Sequence, residues 1–179
     1  ALSRDGYNWK RPFRNKWFIA PLDNKEIFDA SLIWSNATPI YLKDTFRFYY
    51  GAYGKPWNSS DGRQISGIGL AEMPRNRFAA ITPIEKFGQI TLKAIHFNKI
   101  KSIEINGDAE NGSIRTEVLT DDGYRISGYT KNDAIPLNSD SFRHEVKWNI
   151  KSTGDLPAGN YKLRLHLDNS EVFAITICK

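Results

Sequence analysis

The residues that most constrain this chain are the ten at positions 45–54, TFRFYYGAYG. The run begins with alternation and then turns aromatic, so that as a strand it presents large side chains to both faces of a sheet. Such a strand is expected to be covered on both faces. Its surroundings fit a sheet, because residues 28–81 hold strand-like runs at 31–33 with 39–42, at 46–53, at 66–73 and, shortest, at 77–81. Lys43 and Asp44 form a tight-turn pair, and the other gaps are rich in Gly, Asn, Asp, Ser and Pro, the punctuation of successive antiparallel strands. The expected unit is a four-stranded meander with a neighbouring sheet on each side, the situation of a blade inside a β-propeller. On that expectation the 179 residues belong to a longer protein.

Composition agrees with a folded, mainly β chain. Apolar residues make up 40%, with eight Tyr, ten Phe and five Trp, which supplies a core and argues against disorder. No window has the 3.6-residue apolar spacing of a long helix. The formal charge is +5, and the densest basic patch is WKRPFRNKW at residues 9–17. Cations interleaved with aromatics serve single-stranded nucleic acid, and equally sugar rings and anionic glycans; no nucleic-acid module accompanies the patch, so nucleic acid is the weaker expectation. Cys178 is the single cysteine, which excludes an internal disulfide, and no Cys/His spacing suits a metal. No apolar stretch approaches the roughly 20 residues of a membrane span. No cofactor is expected.

In chain order, Ser3, Asp5, Gly6 and Trp9 read as a turn in which Asp5 caps with its carboxylate, Gly6 takes a positive φ and Trp9 packs beneath. The pattern resembles, in degenerate form, the Asp-box turn of sialidase-type propellers, where it is structural. Residues 11–23, with Pro12 and Pro21, read as an irregular connection between blades. The segments FDASLIW, PIYLKDTFRFYYGAYG and GIGLAEMPRNRFAAI together resemble the last blade of the five-bladed propellers of glycoside hydrolase families 32, 43 and 68. They are most similar to bacterial relatives in which such a blade passes directly into a β-sandwich. The resemblance implies an extracellular or periplasmic protein acting on carbohydrate, with the missing amino-terminal blades on the same chain.

It also implies that Asp29 stands at the head of an innermost strand, facing a central funnel. A carboxylate there is a base, a neighbour that tunes another group or an acceptor for sugar hydroxyls; capping of a strand-entry turn is the equally weighted structural role. Glycoside hydrolysis needs two carboxyl groups about 5 to 9.5 Å apart. The resemblance places that pair in earlier blades, so no catalytic residue is expected in this segment. The loop at 53–63 adds Tyr53, Trp57 and Arg63 as candidate substrate-binding residues, since rings stack on sugar faces while polar groups bind hydroxyls; an ordinary long hairpin whose Trp folds back onto the sheet is the equally weighted structural reading.

The first domain is expected to span residues 1–83 and a second, antiparallel β-sandwich, residues 84–179. Strands are expected at 88–94, 101–106, 112–120, 142–148, 161–167 and 172–177. Alternation is clean in KLRLHLDN, where Leu163, Leu165 and Leu167 face one way and Lys162, Arg164 and His166 the other. Asp121, Asp122 and Gly123 mark a hairpin. Arg143 and His144 fall on opposite faces of a strand, which spoils a triad, and His96, His144 and His166 have no chelating spacing. The alternative function is a non-catalytic carbohydrate-binding module using Tyr124, Tyr129 and Trp148. That alternative is weakened by Trp148 sharing the face of Phe142, which makes it a core residue.

Overall fold

The computed structural model describes residues 1–179 apart from 2, 12, 25, 37, 57–59 and 61–64. The chain is all-β, with eleven strands in antiparallel sheets and one 3-10 turn, Thr153–Asp155, among the described residues. It divides into two compact units, Ala1–Met73 and Pro74–Lys179. The division falls earlier than the sequence-based boundary near Pro83.

The first unit is built on β1 (Leu32–Ser35), β2 (Ile40–Tyr41), β3 (Thr45–Tyr53) and β4 (Ser66–Pro74). Both β1 and β2 pair antiparallel with β3, as Ser35 with Tyr50 and Ile40 with Arg47. Five residues of advance on one strand therefore meet three on the other, so β1 and β2 are one strand interrupted by an irregular insertion. β4 also pairs with β3, and the Gly54 amide donates to the Ile65 carbonyl where the hairpin closes. Arg47 on β3 bonds Glu72 on β4. The expected fourth strand at 77–81 is not part of this sheet. Ile81 instead bridges Val172 in the second unit.

Alternation on β3 sorts its side chains cleanly. Phe46, Phe48 and Ala52 are buried, and Tyr50 shares their face. Residues ahead of β1 cover that face, with Phe18 edge-on to Phe48 and Phe28 stacked on Tyr50. Opposite them β4 supplies Gly67, Gly69 and Ala71. A Cβ on Gly69 would lie 2.2 Å from the Tyr50 ring and one on Gly67 2.7 Å from Phe28, so the aromatic layer lies directly on glycine backbone. The other face carries Trp34, Tyr49, Ile68 and Leu70, all exposed, with Ile68 at 80%. Cover on both faces was the expectation; among the described residues of this unit it is found on one.

The second unit contains β5 (Phe87–Thr91), β6 (Ile95–Phe97), β7 (Ser102–Asp108), β8 (Ser113–Thr120), β9 (Asp140–Glu145), β10 (Gly159–Asp168) and β11 (Glu171–Cys178). β10 is the hub of a sheet with β5, β6 and β8, while β7 lies between β11 and β9 in a three-stranded sheet. The short β6 was not expected from sequence. Ile103 and Ile105 of one sheet and Ile114, Val118, Leu163, Leu165 and Leu167 of the other enter one apolar core, as the alternation in KLRLHLDN requires. Trp148 and Tyr129 complete it, edge-to-face at 5.1 Å, with the Trp148 indole N–H donating to the Thr116 carbonyl.

Candidate functional site

Asp29 lies just ahead of β1 and is buried. The Tyr50 hydroxyl donates to its Oδ2 at 2.8 Å, and its main-chain carbonyl accepts the Leu22 amide. Its Oδ1 is buried without a hydrogen-bond partner among the described residues. The bond to the carboxylate, more than the accompanying burial and charge, pushes the Tyr50 hydroxyl above the usual tyrosine range. Asp29 and Tyr50 thus tie the entry segment to the centre of the sheet, a pairing fixed by the parity of β3.

Tyr53 has odd parity on the same strand, so its side chain is on the face opposite Tyr50. Its ring meets Trp34 edge-on at 5.3 Å. The two candidates on described residues, Asp29 and Tyr53, therefore face opposite sides of one sheet and do not converge on a single ligand. Trp57 and Arg63 lie outside the described residues.

The Ser3–Trp9 turn has the bonding its composition suggests. Asp5 accepts the Tyr7 and Asn8 amides at 2.9 and 2.8 Å, and Gly6 adopts φ 77°. These amides and the Asn8 side chain hold the Asp5 carboxyl far below its ordinary range. Trp9 does not pack beneath the turn: it remains exposed and donates its indole N–H to the Gly6 carbonyl.

Two clusters in the second unit escaped the sequence reading. Glu117, with no exposed surface, receives Arg125 Nε at 3.0 Å, Arg164 Nη1 at 3.6 Å and His166 Nε2 at 3.1 Å. Arg125 approaches as an ion pair without hydrogen-bond alignment. The other cluster centres on Arg77, whose guanidinium lies 4.6 Å from the ring centres of both Phe142 and Phe173. Its Nε donates to Asn106 at 2.9 Å, and its two terminal nitrogens bind the Asp140 carboxylate. Asn106 in turn donates to the Arg75 carbonyl. In the first cluster one buried carboxylate gathers two guanidiniums and a histidine, and in the second Arg77 pairs with Asp140, which is the chemistry of anchoring.

His144 is similarly structural, its Nε2–H donating to the Ser139 carbonyl at 2.9 Å and facing that of Gly107 at 3.2 Å. No group of three metal-ligating side chains assembles among the described residues, and none of their helices is long and apolar enough to cross a membrane. Tyr129 and Trp148 are buried, so of the platform Tyr124, Tyr129 and Trp148 only Tyr124 is open.

The chain matches no protein-family model, no curated protein and no solved structure.

Proposed function

We propose that this chain is the supporting, carboxy-terminal part of a carbohydrate-acting protein resembling the five-bladed propellers of glycoside hydrolase families 32, 43 and 68. In this reading the first unit is a propeller blade and the second an antiparallel sandwich. The carrying observation is the two-sided sheet of the first unit. One face is sealed by Phe18 and Phe28, while the other offers Trp34, Tyr49, Ile68 and Leu70 to a further layer. A blade within a propeller has that need, because each of its faces meets a neighbour. The bonded Ser3–Trp9 turn adds a second feature of propeller hairpins.

The part played by this segment is structural, with Tyr53, together with Trp57 and Arg63, as its substrate-lining residues and the buried Asp29 as the anchor of the entry segment. Asp29 has one committed oxygen and one without a partner among the described residues, and hydrolysis needs a second carboxyl group, which the resemblance assigns to earlier blades. The segment alone is accordingly expected to cleave no glycan. An extracellular or periplasmic setting follows from the substrate class.

Replacing Ile68 and Leu70 with Thr tests the carrying observation. On the isolated chain, the double variant is expected to bind less of a hydrophobic dye and to remain monodisperse at higher concentration. Equal dye binding and equal solubility of the two proteins would show that this face has no need of cover.

A further inference from the structure

Residues 7–17 hold a concentration of charge and aromatic surface that a supporting role does not use. Tyr7, Trp9, Phe13 and Trp17 are all exposed, Tyr7 at 89% and Trp17 at 71%. Lys10, Arg11, Arg14 and Lys16 stand exposed among them, and no Asp or Glu occurs between Gly6 and Asp23. Among the described residues no carboxylate pairs with any of the four. The segment follows the self-bonded Asp5 turn and is followed by Phe18, which packs on Phe48 of the sheet.

We infer that residues 7–17 form a docking strip for an anionic polysaccharide, a chain whose sugar rings stack on Tyr7, Phe13 and Trp17 while its carboxylate or sulfate groups meet the four cations. Charge complementarity selects the occupant. An apolar protein layer laid over this strip would bury four unpaired cations, each at a cost of several kcal/mol. An acidic polymer supplies a counter-charge beside each ring. An anionic membrane surface fits less well, because cations and rings alternate along the strip with no helix to separate them onto two faces. The choice of a polysaccharide over a single-stranded nucleic acid rests on the carbohydrate reading proposed above.

The test is binding of the full 179-residue chain to immobilised sulfated polysaccharide, polyuronate, neutral dextran and oligothymidylate. Each is measured at about 0.05 and 0.5 M NaCl, a span across which the screening length falls to a few Å. The acidic polysaccharides are expected to bind, dextran not, with affinity falling at least about tenfold at the higher salt. The variant Lys10→Ser/Arg11→Ser/Arg14→Ser/Lys16→Ser should lose this binding with its circular dichroism unchanged. Phe13→Ala/Trp17→Ala should weaken it about tenfold, as loss of stacking does. Tighter binding to oligothymidylate than to either acidic glycan would overturn the inference, as would unchanged binding by the quadruple variant or binding to none of the polymers. Salt-insensitive binding to dextran would also overturn it while leaving the broader carbohydrate reading in place.

Discussion

Tyr50 fastens the covered face of the first unit at one hydroxyl. Its ring lies across Gly69, with no room for a Cβ, and its O–H is the one hydrogen bond to the buried Asp29 carboxylate among the described residues. Tyr50→Phe leaves that carboxylate unsatisfied and is expected to destabilise the first unit by about 1–3 kcal/mol. Gly69→Ala forces the ring aside and should cost about as much through overpacking. Urea unfolding followed by aromatic fluorescence measures both; an unchanged midpoint in either variant would contradict the role given to Tyr50. Asp29 was singled out in the sequence as a carboxylate at the head of a strand, facing a funnel or capping a turn; its burial beneath Tyr50 was not foreseen. Tyr50 was not legible, because which of three tyrosines meets Asp29 depends on the parity of β3 and on a contact 21 residues away.

Strands in the second unit could be read from alternation, and six of its seven runs were anticipated to within a few residues. The role of residues 74–81 could not. RFAAI has the composition of a strand, yet its placement is decided by one long side chain, Arg77, which inserts between Phe142 and Phe173 and pairs with Asp140. Glu117 was hidden for a related reason, since its partner Arg164 is set by the β8–β10 register. Arg77→Lys keeps the charge but loses the planar fork and the ring stacking, and should destabilise the second unit by about 2 kcal/mol. Hydrogen bonding from Arg77 is the largest influence holding the Asp140 carboxyl below its ordinary range. The unfolded chain therefore binds a proton at Asp140 before the folded one does. This stability is present above about pH 4 and is lost as pH falls through the folded value. Measured unfolding free energies between pH 5 and pH 2.5 should fall less steeply in Arg77→Lys than in the parent chain. Parallel slopes would remove Arg77 as the cause.

Across the whole molecule, apolar burial is uneven. Buried apolar side chains in the first unit are Phe46, Phe48 and Ala52 among the described residues, whereas the second unit fills its core from β6, β7, β8, β10 and β11. Local stability follows such burial. The isolated chain should lose its first unit to denaturant and protease while residues 74–179 remain protected, an order that hydrogen exchange and limited proteolysis can read. One concerted transition would contradict it. The all-β architecture was legible because short alternating runs and turn signals recur along the chain. The assembly to which the open sheet face belongs is not written in these residues and enters as a proposal. The most direct test of that proposal is the intact mass of the native protein in its source, detected by an antibody against this segment. A mass well above 20.4 kDa is predicted, with the catalytic carboxylates lying in the additional sequence. A native mass equal to that of the segment would contradict the propeller account and leave a self-contained β protein.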